Sequence, residues 1–544
     1  MPKITIDGKE ITCRDGITVL QAALEAGWDV PHYCYHPGLS IVASCRLCLM
    51  EMQMPDPKTG DMVWAPKLFP SCQTPVRDEM VVRFNSQAVS TSRARCLEYL
   101  LLNHPLDCPV CDQAGECYLQ DYSYGFGQAT SRMVDPKEVN PKKDVGPRTL
   151  LYCDRCVLCT RCVRFTQEIS GTNELCVTKR GSRAEIDVFP GRPLDNPLQG
   201  NVVDICPVGA LLDKDFLFKQ RVWFLQSAPS ICPGCSTGCA IRVDANDDVV
   251  YRLKPRYNPG VNDWWMCDEG RFGWKYVHDP ARLTAPKLRR GSHVEALKWE
   301  DLPGILAIRF GRQVERKGSA GVAAVLSPMM ACEEAWLLIG FLQRIAPELT
   351  LVTGHVPVGG QDQTFPIGAT AEAIKFTIRQ EKCPNRRGIE TIMARSGCAA
   401  LSLEEFCAKA GAGEFSAAWI VGGYPDKQWV PKDLAAAAGK IELLVVQDLF
   451  ENQLTGAATV LLPSCAFVER AGCFMNAQGK LQPFRAAIRP PDSPVGIRRD
   501  GQYLYELAGY EGVYNAARVR ELMAATMGEF AEVGDAPPRP VHQH

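Results

Sequence analysis

The chain has no run of eighteen or more apolar residues, so no segment is expected to cross a membrane as a helix. A signal-peptide pattern is also missing, because Met1-Pro2-Lys3-Ile4 leads directly into an alternating strand. Excess charge of either sign is absent: 60 Lys and Arg stand against 62 Asp and Glu, a net charge of -2. That balance gives no reason to expect a nucleic-acid or anionic-lipid partner. No Gly-x-Gly-x-x-Gly and no Walker sequence occurs, and Gly422-Gly423 alone is too little for a phosphate loop. There is no internal repeat. At 544 residues the chain is too long for one core and should form several domains.

What is present in excess is cysteine. There are 25, of which nineteen lie at or before Cys267 and six beyond it. Their Cys-x-x-Cys spacing, in a long chain without an export pattern, favours metal ligation in a reducing compartment over disulfides.

The densest stretch runs from Asn103 to Gln120. It offers one imidazole and three thiols, His104, Cys108, Cys111 and Cys117, a full ligand set for one four-coordinate centre. Pro109 and Gly115 punctuate it so that the backbone can wrap an inorganic core. A structural zinc site of three cysteines and one histidine would use the same ligands. A helix from about Thr91, with Leu97, Leu100 and Leu101 inward, delivers His104 at its end, where Pro105 stops it. A neutral imidazole in place of a thiolate makes a cluster less negative and raises its potential.

Before this stretch, Ile4 and Ile6 alternate with Ile11 and Cys13 about Asp7-Gly8, a hairpin signal. A helix follows with Val19, Leu20, Ala23 and Leu24 on one face and Gly27 as its stop. Then come Cys34, Cys45, Cys48 and the distant Cys72, a loop trio plus one ligand, resembling the plant-type 2Fe-2S arrangement with a longer first gap. A thioredoxin-like reading of Cys45 and Cys48 leaves Cys34 and Cys72 unexplained. The polar stretch from Gln53 to Pro70 reads as a surface loop.

After a Pro-rich linker from Arg132 to Arg148 comes the run Cys153, Cys156, Cys159 and Cys162, and later Cys206-Pro207. Three cysteines at this spacing with a remote Cys-Pro is the 4Fe-4S ferredoxin signature. We assign Cys156, Cys159, Cys162 and Cys206, and leave Cys153 and Cys176 as spectators. A further set follows, Cys232, Cys235, Cys239 and Cys267, with Gly234 and Gly238 permitting close backbone approach. Zinc ribbons can look similar.

Beyond Ala285 ligand spacing ends. Val322 to Leu326, Cys332 to Leu342, Trp419 to Gly423, Val430 to Ala438, Ile441 to Val446 and Ala457 to Leu462 alternate as strands and helices of a parallel α/β sheet. Cys332, Cys383, Cys398, Cys407, Cys465 and Cys473 read as core or surface thiols. The Pro-rich end from Gly534 to His544 reads as disordered.

Four stretches carry a close resemblance: Val30-Pro-His-Tyr-Cys-Tyr-His-Pro, Asn103-His-Pro-Leu-Asp-Cys-Pro-Val-Cys-Asp-Gln, Cys156-Val-Leu-Cys-Thr-Arg-Cys-Val-Arg-Phe and Asp204-Ile-Cys-Pro-Val-Gly-Ala-Leu. Over the first 220 residues or so the chain resembles the large iron-sulfur subunit, the G subunit, of proton-pumping NADH:quinone oxidoreductase, respiratory complex I. From Ile231 to about Pro286, including Gly270-Arg-Phe-Gly-Trp and Asp279-Pro-Ala-Arg-Leu-Thr, it resembles the iron-sulfur domain of molybdopterin oxidoreductases. Val446-Gln-Asp-Leu-Phe to Gly472-Cys-Phe-Met-Asn-Ala-Gln-Gly-Lys is similar to the late part of that fold. About 260 residues after Arg282 are too few for a full molybdopterin-binding body, so a shortened relic without molybdenum is expected.

The expected fold is therefore multidomain, α/β and α+β. It comprises a 2Fe-2S ferredoxin-like domain at 1–88, a 4Fe-4S domain with one histidine and three cysteine ligands at 89–130, and a 4Fe-4S ferredoxin-like domain at 131–225. A molybdopterin-oxidoreductase-type 4Fe-4S domain at 226–284, a truncated molybdopterin-oxidoreductase-like α/β domain at 285–512 and a tail at 513–544 complete it. The resemblance implies one [2Fe-2S] and three [4Fe-4S] clusters passing electrons from a flavin subunit toward quinone, in an oxidoreductase and translocase, with no substrate site in this chain. It implies as partners a flavin/NADH-binding subunit, a small 2Fe-2S subunit and the quinone-module subunits, with the membrane arm reached through them. The expected place is peripheral, on the cytoplasmic side of a bacterial inner membrane, and the Cys232 set is allowed a position off the main route. Two rival readings are the electron-transfer subunit of an NAD-linked hydrogenase or formate dehydrogenase, and a zinc-stapled scaffold without redox activity.

Overall fold

A computed structural model of the protein describes residues 1–491 and 497–533. The segment from Gly534 to His544, expected to be disordered, thus lies outside the described residues. The described residues divide into two compact units, 1–225 with 364–376, and 226–363 with 377–533.

In the first unit, strands Lys3–Ile6 and Lys9–Thr12 pair antiparallel about Asp7-Gly8, where both residues take positive φ. That is the left-handed turn the Asp-Gly dipeptide foretells. Helix Val19–Glu25 is opened by a capping box, Thr18 accepting from the Gln21 amide while the Gln21 side chain accepts from the Thr18 amide. Such a cap contributes about 1 kcal/mol. Strands Met80–Arg83 and Leu49–Pro55 extend the sheet, and Ile4, Ile6, Val19, Leu20, Met50 and Val82 form its core with the Cys48 and Cys72 thiols. The stretch from Gln53 to Pro70 is not the surface loop its polarity foretold. It forms a hairpin in which Gln53 pairs with Trp64 and Pro55 with Met62. Met54, Met62 and Val63 stay exposed there, so strand pairing rather than burial shapes the segment.

Helix Gln87–Leu101 begins four residues before the expected Thr91, because Ser86 accepts from the Val89 amide and caps it earlier. Its last turn leads to His104. Farther on, helix Arg161–Phe165 continues into a π-helical turn, Thr166–Ser170.

In the second unit, strands Gln226–Ile231, Ala240–Asn246 and Val249–Pro255 form an antiparallel sheet. Strands Ala399–Leu401, Thr350–Thr353, Val322–Leu326, Ala417–Val421, Leu443–Asp448 and Val460–Pro463 lie parallel in that order, and Lys287–Arg290 and His293–Ala296 add an antiparallel edge. Side-chain alternation splits the core in two: Val322, Ala324 and Trp419 face one way, Ala323, Val325 and Ile420 the other. Both faces are covered, as a parallel sheet requires. Residues 513–533, assigned from sequence to a tail, are in part core. Helix Ala516–Ala524, capped by Asn515, buries Val519 and Met523 beside Met527 and Phe530. The spacing of four between Val519 and Met523 places them on one helical stripe.

Among the described residues no helix is long and apolar enough to cross a membrane.

Candidate cluster sites

The structure brings the expected first set together. The Cys34 and Cys45 sulfurs stand 3.5 Å apart, Cys72 hydrogen-bonds with both Cys34 and Cys48, and Cys34, Cys48 and Cys72 are buried. Hydrogen bonds from Cys45 and Cys72 hold the Cys34 thiol far below its usual range, and the bond from Cys72 brings Cys48 to about 7. Cys45 and Cys72, which hold the protons of those bonds, are in turn kept well above their usual range by them and by burial. The Tyr33 amide donates to the Cys45 sulfur at 3.4 Å. Ala43 and Arg46 take positive φ without being glycine, a strained wrap of the kind found around anionic groups.

The second set lies near the surface, with Cys108 exposed and Cys111 buried. Burial, with Arg155 and Lys137 nearby, lowers His104 to about 4, so its imidazole is neutral and free to ligate at neutral pH. Burial pushes Cys117 up to about 12. Gly115 has φ +90, and a Cβ there would meet Val222 Cγ2 at 2.6 Å, so this turn depends on a glycine.

Of the third set, Cys156, Cys159, Cys162 and Cys206 line one small cavity with Val208 and Leu211, whereas Cys153 does not line it. Cys153 is instead buried beside Lys143 and Glu185, and Cys176 donates to the Asp187 carbonyl at 3.6 Å. Leu158 and Thr160 take positive φ, and the Leu158 amide donates to the Cys156 sulfur at 3.4 Å. Such N–H to sulfur bonds favour the thiolate.

The fourth set, in the second unit, is fully buried: Cys232, Cys235, Cys239 and Cys267 are each at most 6% exposed. Gly238 has φ +65, and Gly270 is packed so that a Cβ would stand 2.6 Å from the Cys232 sulfur and 3.8 Å from that of Cys267. The loop is pinned by Ser236, whose amide donates to Glu381 O at 2.9 Å, and by Gln482, which donates to Gly238 O at 2.8 Å.

Several contacts between the sets were not foreseen. Gly209, three residues past Cys206, lies against the Cys111 sulfur, where a Cβ would approach to 2.3 Å. The Tyr118 amide donates to Pro207 O at 3.0 Å, again joining the second set to the third. Arg155 donates to Asp107 at 2.6 and 3.1 Å and lies 3.9 Å over the Tyr152 ring. Arg161 donates to Ile205 O at 3.2 Å and Tyr35 O at 2.5 Å, and Arg164 to the carbonyls of Cys34, Ser40 and Cys159. The only trace of these in the sequence is that Arg161 and Arg164 flank Cys162.

Among the described residues no three His, Cys, Asp or Glu side chains gather as they would about a single metal ion. An iron-sulfur core takes its thiolates on different iron atoms. The donor chemistry, the N–H to sulfur bonds and the glycines pressed against sulfur fit such a core.

Family models agree with this layout. A 2Fe-2S iron-sulfur cluster binding domain matches residues 2–87, and the NADH-ubiquinone oxidoreductase-G iron-sulfur binding region matches 93–132. The ferredoxin-like domain of NADH-quinone oxidoreductase subunit 3 matches 146–212, the molybdopterin oxidoreductase Fe4S4 domain 225–279, and molybdopterin oxidoreductase 389–504. The chain thus carries 2Fe-2S and 4Fe-4S binding domains and a C-terminal molybdopterin oxidoreductase domain. It is 37% identical over 348 residues to the G subunit of NADH-quinone oxidoreductase from Rickettsia bellii, covering 63% of this chain and 48% of that protein. Against the NADH-ubiquinone oxidoreductase 75 kDa subunit of Reclinomonas americana it is 34% identical, covering 66% and 50%. Against the mitochondrial NADH dehydrogenase [ubiquinone] iron-sulfur protein 1 of Solanum tuberosum it is 38% identical, covering 61% and 44%. The chain spans about half the length of the relatives it matches. A chain of an NAD+-reducing [NiFe]-hydrogenase structure aligns with TM-score 0.34 at 28% identity, covering 41% of this chain and 91% of that one.

Proposed function

We propose that this homologue of G and 75 kDa subunits works as the iron-sulfur electron-transfer subunit of an NADH:quinone oxidoreductase, a translocase. Cys34, Cys45, Cys48 and Cys72 would hold a [2Fe-2S] cluster. His104 with Cys108, Cys111 and Cys117 would hold a [4Fe-4S] cluster, as would Cys156, Cys159, Cys162 and Cys206, and Cys232, Cys235, Cys239 and Cys267. When bound, these groups accept and give up single electrons. The chain's own part is to fix where they sit, to exclude water from the thiolates and to set their potentials through backbone N–H donors and buried charge.

The observation that carries this reading is the contact of the third ligand set with both others of its unit. Through Arg164 it shares hydrogen bonds with the Cys34 loop, and through Gly209 it touches the Cys111 sulfur. Close packing of successive sets is what a relay needs and what unrelated zinc staples do not. It supports a sequence running from the Cys34 set through the Cys156 set to the His104 set.

We assign the C-terminal domain no molybdenum. At the ends of its parallel strands, where open α/β sheets take ligands, Asp448 already receives the amides of Gly423 and Leu449, the Trp429 indole N–H and the Asn452 amide. A Cβ on Gly422 would stand 2.5 Å from that carboxyl group. Donors that could have met a phosphate are spent, and the group they hold is an acid.

The partners in this reading are a flavin/NADH-binding subunit, a small 2Fe-2S subunit and quinone-module subunits, which hold the chain to the cytoplasmic face of the membrane. Anaerobic purification at native stoichiometry tests it. A brown complex with flavin and membrane subunits, several reducible paramagnetic signals and iron matched by labile sulfide is the expected result. A colourless, zinc-loaded chain would overturn it, and a nickel or molybdenum catalytic subunit in place of the quinone module would reassign it.

A further inference from the structure

Arg161, Arg164 and Glu168 recur at the spacing that places side chains on one face of a helix. That face grips the loop carrying Cys34. Arg161 donates to Tyr35 O at 2.5 Å, Arg164 to Cys34 O at 2.6 Å and to Ser40 O, and Glu168 accepts the Ser40 amide at 2.9 Å. The same Arg164 nitrogen that meets Cys34 also donates to Cys159 O at 3.2 Å. Both arginines are about 5% exposed or less. Among the described residues, the hydrogen-bond partners of both guanidiniums are backbone carbonyls rather than carboxylates. Burying a cation without an anionic partner is costly unless negative charge lies close. Beside Arg164 stand the Glu168 carboxylate, one helical turn on, and the two ligand loops whose Cys34 and Cys159 carbonyls it bonds.

We propose that Arg164 is a positioning residue for electron transfer, one that fixes the spacing of the Cys34 and Cys159 loops and whose buried positive charge raises the potentials of both ligand sets together. The inference rests on the cluster reading above. A guanidinium suits the task because its planar fork reaches two carbonyls from one nitrogen and a third from the other, a fixed spread that the single nitrogen of an ammonium lacks. Positive charge beside a sulfur-ligated centre favours the reduced, more negative form, so removing it lowers the potential.

The experiment compares Arg164→Gln and Arg164→Lys in the assembled complex, with iron content and potentiometric titration of the paramagnetic signals as readouts. In Arg164→Gln, iron content holds, and the reduced-to-oxidised ratio of both the Cys34 and the Cys156 sets falls about tenfold at fixed potential, about 59 mV for a one-electron couple. The Cys232 set does not move. Arg164→Lys, which keeps the charge and loses the fork, stays within about twofold in potential but changes the magnetic coupling between the two sets. Clusters present with unmoved potentials in Arg164→Gln overturn the proposal, as does an equal shift in both variants. If the Gln variant loses iron, Arg164→Lys decides: parental potentials with altered coupling uphold the proposal, and unaltered coupling overturns it. A parent complex without clusters would instead defeat the cluster reading itself.

Discussion

Gly209 faces the sulfur of Cys111 so closely that a single added methyl would come within 2.3 Å of it. The contact crosses from the loop after Cys206 to the His104 set, where the Cys111 side chain could yield only by turning its sulfur away from the position proposed for it as a ligand. Gly209→Ala is therefore expected to empty the His104 site or the Cys206 site, lowering iron and labile sulfide by one cluster. Overpacking of this kind costs about 1–3 kcal/mol. Full iron content in the variant would show that the two loops have slack.

His104→Cys should keep a cluster at its site, because the fourth position remains filled, yet lower its potential by trading a neutral ligand for an anionic one. Potentiometric titration of that signal alone checks it. Cys108→Ala, in contrast, should lose the cluster.

Cys153 and Cys156 make a direct pair of controls. Only Cys156 lines the cavity shared with Cys159, Cys162 and Cys206. Cys153→Ser should leave iron content and spectra unchanged, and Cys156→Ser should remove one cubane signal. The reverse pattern would exchange the two assignments.

In the second unit the buried Glu333 accepts the Cys473 amide at 2.8 Å and the Cys473 thiol at 2.8 Å. Burial raises it to about 7 despite those bonds. A carboxyl raised above its unfolded value stabilises the fold fully below about 4.5, and that contribution is lost as pH rises through about 7. Glu333→Gln should accordingly flatten the fall in melting temperature between about pH 5 and pH 8, which calorimetry across that range would reveal. An unchanged slope would place the loss elsewhere.

Much of the site was legible because ligand chemistry imposes spacing: cysteines two residues apart before a remote Cys-Pro can be counted on a string of letters. The parallel strands were legible too, since residues such as Val322 to Leu326 are buried on both faces and read as unbroken apolar runs. What could not be read were contacts made by reach. Arg164 touches a loop more than a hundred residues away through a long side chain, and no periodicity announces that. The wraps at Leu158 and Thr160 were hidden for another reason, because positive φ is expected of glycine and here other residues bear it. The hairpin after Gln53 was missed because its residues stay exposed and so carry no alternation of burial.

The segment 364–376 belongs to the first unit although it interrupts the sequence of the second. Its Ile367 amide donates to Ser170 O at 3.0 Å, at the foot of the helix that bears Arg161 and Arg164. A gene fragment ending near Leu225 would encode every cysteine of the first three sets and still omit the brace beneath that helix. Splitting such a gene at what looks like a natural seam would thus sacrifice rigidity where the Cys34 loop is clasped.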